Sequence, residues 1–340
     1  MTSNRPQRPV RREAQDTAPE KPYALVPFPK QRPFLKAPVG HHRYTEAGYH
    51  GKLHLTLTVQ TALHVSTGIV AMGSDVGSRV PLIKTMTRDL DQQLIIQGSS
   101  LKGCVRAIYE AITNSTLAVV TGRYRQKMPK DRLPCTQKDR LCPASQVFGA
   151  LDWQGLVHFT DARCESAKPV TGFMPSLYRP RPEAYFNGGT ATGRKFYRHA
   201  MSAVDGGDRG IPVQQAGTEY QFKTELQFLN LTQAQLGTLL IALGQGEHKM
   251  ALKLGGGKPI GMGTIQVRVP RIEVSQDVRA RYTSYAPPEA ETLTGEAAAT
   301  FIEQATRQAK QSRLVEEPQL RALAEILAWP TTRTAPEGMY

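Results

Sequence analysis

Two runs of residues have the composition and spacing of anion-binding sites. The run Leu254-Gly-Gly-Gly-Lys-Pro-Ile-Gly-Met-Gly263 sets five glycines around one lysine. Glycines let backbone N–H groups approach an oxyanion closely and form concave nests, and a lysine adds a point charge. Gly255, Gly256, Gly257, Lys258 and Gly261 are therefore candidate phosphate ligands; the plainer alternative is a flexible loop ahead of a strand. A nucleotide P-loop is a poor match, because Pro259 stands where Ser or Thr would hold magnesium and a strand pattern, not a helix, follows. A dinucleotide fingerprint fails for the same topological reason. The second run, Gln97-Gly-Ser-Ser-Leu-Lys-Gly-Cys-Val-Arg106, puts Ser99 and Ser100 at the start of a helical pattern, where unpaired N–H groups and the helix dipole favour anions. Lys102 and Arg106 lie four residues apart and so share a helix face. Ordinary capping with two solvated cations is the alternative.

The elements that must hold these runs are readable from periodicity. Leu53, Leu55, Leu57 and Val59 alternate with polar residues and predict a half-buried strand. Leu101, Cys104, Val105, Ile108 and Ile112 follow helical spacing behind a Ser99 or Ser100 cap, with Cys104 on the apolar stripe. The same order recurs: Tyr220, Phe222, Leu226 and Phe228 alternate, then Thr232 precedes Leu236, Leu239, Leu240 and Leu243 before Gly244. Shorter strand patterns at 156–160 and 264–269 complete a β-α-β-β-α-β order, so the predicted fold class is α+β with a ferredoxin-like, RRM-like core. Long insertions remain at 60–98, 115–154 and 162–217, and loops of that length are usually functional. Residues 1–50 hold eight prolines and predict a basic N-terminal arm; residues 271–340, with helical patterns at 295–313 and 318–327, predict an appended C-terminal helical extension.

Charge narrows the partner. The 340 residues carry 43 Lys and Arg against 29 Asp and Glu, a net charge of +14, which points to a polyanion. The excess is uneven: residues 121–140 hold seven basic and two acidic residues, and residues 281–340 hold six basic and eight acidic. No apolar stretch approaches the roughly 20 residues of a membrane span, and residues 1–10 show no secretory signal, so no membrane partner and a cytoplasmic location are expected. Four cysteines in such a chain do not make a disulfide framework and read as packing residues or metal ligands.

Several blocks together carry a family resemblance. Gly98-Ser-Ser-Leu-Lys-Gly with Arg106, Phe148-Gly-Ala, Val157-His-Phe-Thr-Asp-Ala162 and the 254–263 loop resemble, in that order, the signature blocks of the RAMP superfamily of CRISPR-associated proteins. Leu63-His-Val-Ser-Thr-Gly68 resembles that family's opening loop, and Gly193-Arg-Lys-Phe-Tyr-Arg-His199 resembles members of the type III-D branch. The resemblance implies a RAMP domain over 51–270 and a backbone subunit of a type III effector ribonucleoprotein. Its partners would be a guide RNA (crRNA), complementary target RNA and other CRISPR effector subunits. The 254–263 loop and first helix would grip guide phosphates. The insertion at 162–217 would be a thumb that kinks the guide–target duplex, with Phe173, Met174, Tyr185 and Phe186 as wedges. Arg194, Lys195, Tyr197 and Arg198 would contact RNA there. His64 either contacts RNA or is structural.

Two metal expectations also come from the resemblance. Cleaving members use an Asp after the first strand with Mg2+; here Arg79 falls nearest that position and Asp75 is the candidate four residues earlier. Pro134-Cys-Thr-Gln-Lys-Asp-Arg-Leu-Cys-Pro143 resembles the family's zinc-binding insertion, which makes Cys135 and Cys142 candidate structural Zn2+ ligands, with Cys164, His158 or His199 needed to complete four. The competing functions are a metal-dependent target-RNA endoribonuclease using Asp75, a guide-processing endoribonuclease working through a histidine, and a phosphate-binding small-molecule enzyme.

Overall fold

The computed structural model describes residues 22–165, 168–177, 185–286 and 290–336. The strands of the first half are β1 (Tyr23–Pro27), β2 (Tyr49–Val59), β3 (Ser66–Met72), β4 (Leu82–Met86), β5 (Ile95–Ile96), β6 (Gly149–Ala150), β7 (Trp153–Gln154), β8 (Val157–Phe159) and β9 (Ala162–Cys164). Those of the second half are β10 (Val170–Met174), β11 (Phe186–Asn187), β12 (Thr190–Ala191), β13 (Gly193–Tyr197), β14 (Ile211–Gln215), β15 (Gln221–Leu231), β16 (Leu252–Lys253), β17 (Thr264–Ser275) and β18 (Glu291–Thr294). The helices are α1 (Gly98–Ile112), α2 (Pro143–Phe148), α3 (Gln233–Ala242), α4 (Val278–Thr283), α5 (Gly295–Gln311) and α6 (Glu317–Ile326).

The main sheet is antiparallel and runs β16-β17-β2-β15-β9-β5, with β8 also on β15. Its four principal strands therefore lie in space as β17-β2-β15-β8, with α1 between β2 and β8 in the chain and α3 between β15 and β17. Alternation explains the burial: Leu53, Leu55, Leu57 and Val59 are at most 1% exposed and join Leu101, Val105 and Ile112 of α1 and Leu236, Leu239 and Leu240 of α3 in one core. The opposite face is polar, with His54 between Glu225 and Glu273 at 3.6 and 2.9 Å. α3 is secured by a capping box, Thr232 with Gln235.

The insertions are not free loops. Parts of 60–98 and 162–217 meet in a second sheet, β10-β14-β4-β3, through the parallel pairing of β4 and β14. The described part of the expected N-terminal arm is docked: β1 pairs with β13 in register Tyr23↔Tyr197 to Pro27↔Gly193. Val26 is 1% exposed, so β1 has an apolar residue to bury. The buried guanidinium of Arg132 donates to the carbonyls of Pro29 and Gln31, both at 2.6 Å.

The C-terminal segment also belongs to the core. The boundary expected at 270 falls inside β17, whose second half pairs with β18. α5 packs along α3, so close that a Cβ on Gly237 would lie 1.8 Å from the Ala305 carbonyl oxygen. That cover explains why α3 is apolar on more than one side. α6 packs on α1 and β1, with the Glu316 N–H donating to Ile112 O at 2.8 Å. Among the described residues no helix is long and apolar enough to cross a membrane.

Candidate nucleic-acid interface

A cleft of about 610 Å3 opens between α1, β13 and the glycine loop. It is lined by Ser100 and Cys104 from α1, Arg194, Lys195 and Tyr197 from β13, Lys253 from β16, and Gly255, Gly256 and Lys258 from the glycine loop. Four cations and no carboxylate line it among the described residues, so its field favours an anion. A larger hollow of about 750 Å3 on the open face of the main sheet includes Asp161 and Glu225 beside Arg163 and Lys223, and its charge is mixed.

The glycine loop folds as it does because of contacts beneath it. Gly255 has φ +79°, and a Cβ there would meet the His64 carbonyl oxygen at 2.5 Å. Gly263 has φ +83°, and its Cβ would lie 1.9 Å from Leu254 O. Only glycine combines that backbone with that proximity. The Gly256 N–H donates to His64 O at 2.8 Å, and Lys258 folds back so that its amine donates to Gly255 O. Gly257 and Gly261 bracket the turn Lys258–Ile260, both with left-handed φ. Lys258 lines the cleft, and burial holds its amine below the usual lysine range.

His64 is 2% exposed, which removes it from direct contact with any external strand. Its Nδ1 donates to Gln214 O at 2.6 Å, and burial lowers its pKa, so the neutral ring ties the β14 end to the loop. It is a structural support for the candidate site.

The start of α1 differs from expectation. The helix begins at Gly98 and is preceded by Gln97, not by a serine cap. The Asp161 carboxylate accepts the Gly98 N–H at 2.7 Å, and Gly98 sits where a Cβ would be 2.2 Å from Phe159 O. A protein carboxylate thus already satisfies the helix N-terminus. Ser99 is exposed, while Ser100 alone of the pair lines the cleft.

Lys102 and Arg106 are engaged within the protein. The Lys102 amine donates to Val157 O at 3.0 Å, and burial, then the Arg106 charge, lowers its pKa. Arg106 donates to Glu110 at 2.7 Å and to Ser145 Oγ at 3.3 Å. The Glu110 side chain, 1% exposed, also pairs with Arg194 and accepts the Ala118 N–H. One buried carboxylate therefore holds two guanidiniums, of which only Arg194 reaches the cleft.

Lys195 is caged. Its amine sits 4.9, 4.8 and 4.3 Å from the ring centres of Tyr23, Tyr185 and Tyr197 and donates to the hydroxyls of Tyr185 and Tyr197 at 3.0 and 2.7 Å. Burial brings its pKa down to about 8. Lys253, not foreseen from sequence, donates to Gly261 O at 3.0 Å and Thr264 Oγ1 at 3.3 Å. Burial first, then the neighbouring Lys258 charge, lowers it to about 7. The Arg198 N–H donates to Pro22 O at 2.9 Å, and the residue is not in the cleft lining.

Of the expected thumb wedges Met174 is buried, and Phe173, Tyr185 and Phe186 are half-buried. Met174 is 8% exposed beside Val213, Ile260 and Met262; Tyr185 belongs to the Lys195 cage, and Phe186 lies 5.5 Å from Tyr124 between ring centres. Residues 166–167 and 178–184 of that insertion lie outside the described residues.

Among the described residues neither expected metal finds a group of three ligating side chains at its candidate positions. Asp75 is exposed on the 3-10 turn Gly73–Val76 and accepts from the Ser74 hydroxyl at 3.2 Å. Among the described residues Asp75 belongs to no group of three His, Cys, Asp or Glu side chains that could hold a metal. The Cys142 N–H donates to Cys135 Sγ at 3.4 Å, and the Thr116 hydroxyl touches both sulfurs, at 3.4 and 3.2 Å. No third ligand completes a zinc set there among the described residues. Cys164 is buried in β9 opposite Phe222, His158 is exposed on β8, and His199 is committed to Thr264 and Ala251.

A family model described as the RAMP superfamily matches residues 56–266, more than half of the chain. The chain belongs to the RAMP superfamily. No curated protein matches it. Among solved structures it is similar to a chain of the type III-B Cmr-beta complex bound to cognate target RNA, determined by cryo-EM, with 17% identity and a TM-score of 0.36. The likeness covers 67% of this chain and 61% of that one, so this chain spans under two thirds of the length of that relative.

Proposed function

We propose that the protein is a guide-RNA-binding backbone subunit of a type III CRISPR effector ribonucleoprotein in antiviral defence. The observation that carries this reading is the meeting of Arg194, Lys195, Lys253 and Lys258 in one cleft beside the glycine loop, without a carboxylate, in a RAMP-superfamily chain. Such a cleft recognises phosphates, and its grip is sequence-independent. The strand order β17-β2-β15-β8, with two helices on one face, supports describing the core as ferredoxin-like. On this reading the partners are guide RNA, complementary target RNA and sister subunits, and the compartment is the cytoplasm. The Gly193-to-His199 block favours the type III-D branch.

The test is isolation of the native assembly with a tag on this chain, followed by sequencing of bound RNA and mass spectrometry of bound proteins. Repeat-derived guide RNA together with other CRISPR subunits is the expected result. RNA-free protein that also fails to bind oligoribonucleotides at low salt would overturn the reading.

A further inference from the structure

Cys135 and Cys142 form a closed pair of thiols that the RNA-binding reading does not use. The Cys142 N–H donates to Cys135 Sγ at 3.4 Å, and the Thr116 hydroxyl contacts both sulfurs, at 3.4 and 3.2 Å. Cys142 is buried, whereas Cys135 is partly open to solvent. A partly exposed thiol backed by a buried one is a pair that a disulfide can close. The remaining two cysteines do not compete: Cys104 donates to Lys253 O, and Cys164 is buried in the main sheet.

The pair is also wired to the cleft. The Cys142 thiol donates to Ser145 Oγ at 3.3 Å, the same oxygen receives Arg106 at 3.3 Å, Arg106 holds Glu110, and Glu110 holds Arg194 at the cleft wall. A disulfide sulfur carries no hydrogen, so oxidation removes the donor at the head of this chain.

We propose that Cys135 and Cys142 are a reversible redox modification site that closes to an intramolecular disulfide on exposure to a hydroperoxide. With hydrogen peroxide, one thiol of the pair gives up its S–H proton and its sulfur attacks one peroxide oxygen; the O–O bond breaks, leaving a sulfenic acid and one water. The other sulfur then displaces the hydroxyl, which leaves as a second water with that thiol's proton. One S–S bond has formed, two thiols are oxidised and the peroxide is reduced. A dithiol reductant reverses it. Conditional disulfides of this kind are the form expected in a reducing compartment.

The 340-residue chain has four cysteines, all free thiols. After brief exposure to stoichiometric peroxide, quenching and denaturation, two thiols are expected to be lost and regained with dithiothreitol, with peptide mapping placing the link between Cys135 and Cys142. Cys142→Ser, which keeps a donor to Ser145, and Cys135→Ser should form no disulfide, each retaining a hydroxyl where the thiol was. Wild-type protein that keeps all four thiols, links a different pair, or carries Cys135 as a sulfinic acid beside a free Cys142 would overturn the proposal. The wild-type map alone decides it if either variant fails to fold.

Discussion

Arg194 on β13 is ion-paired with Glu110 on α1, a carboxylate whose side chain is 1% exposed. The pair fixes the strand wall of the cleft to the helix wall. It also leaves Glu110 with a second guanidinium, Arg106, so the group carries a net positive charge next to the cleft. Removing the carboxylate would leave two arginines facing one another without their counter-ion. Glu110→Gln is therefore expected to lower folding stability by roughly 3 kcal/mol, as for other broken buried pairs. Urea denaturation monitored by circular dichroism measures this, and an unchanged midpoint would count against the clamp.

Two cleft lysines, Lys195 and Lys253, titrate close enough to neutrality to make RNA binding proton-linked. A phosphate beside Lys195 or Lys253 favours the charged amine and raises its pKa from about 8 and about 7 respectively. Binding then takes up protons, so affinity is highest below about pH 7 and falls as pH rises through the 7–8 window. Anisotropy titrations at constant ionic strength should show this decline, and calorimetry in two buffers of different ionisation heat should report the uptake. A flat profile would contradict the placement of these amines in the binding site. For the free protein the sign is opposite: its lysines lose protons at lower pH than the unfolded chain does, so stability rises with pH from about 7 towards the ordinary lysine range near 10.5.

Lys258 and His64 should separate in their salt dependence. Lys258→Ala is expected to weaken binding of every single-stranded RNA sequence alike and to reduce the slope of log affinity against log salt by about 0.7, the loss of one phosphate contact. His64→Ala loosens the loop without removing a charge, so affinity falls while the slope stays near the parent value. Equal slopes for Lys258→Ala and the parent would remove Lys258 from the phosphate contacts.

Gly237→Ala tests the joint between α3 and α5. A methyl group at this position would meet the Ala305 carbonyl oxygen at 1.8 Å, which forces the helices apart. A loss of roughly 3 kcal/mol is expected from such overpacking, read as a lower midpoint in urea with unchanged RNA affinity for the fraction that remains folded.

The sequence was most informative where a single period ran long enough to mark one face. Leu53 to Val59 and Leu236 to Leu243 read directly as the buried sides of β2 and α3. The glycine run also pointed to its own place, and Ser100, Arg194, Lys195, Tyr197 and Lys258 do meet at the cleft beside it. What sequence could not show is which cations face inward to partners of their own. Lys102 and Arg106 have the helix spacing of a phosphate site, yet Val157 O and Glu110 occupy them. Lys253 lies between Leu252 and Leu254 in a two-residue strand, and its burial depends on Gly261 and Thr264, which the fold brings back from later in the chain. His64 gives the same lesson in reverse, since a polar residue in a family-like loop turned out to be packed under it. Asp161, which satisfies the first N–H of α1, carried a signal only as part of a motif, because its partner lies 63 residues away.

The C-terminal segment has a further consequence for anyone wishing to trim the protein. β18 extends the sheet beside β17 while α5 covers α3, so cutting the chain at residue 270 would sever β17 itself and bare the apolar flank of α3 around Gly237. The family-matched stretch 56–266 is thus expected to be unstable on its own. α5 and α6, which lie beyond that stretch, pack on α3 and α1, and the shortest stable version of this protein is expected to retain them.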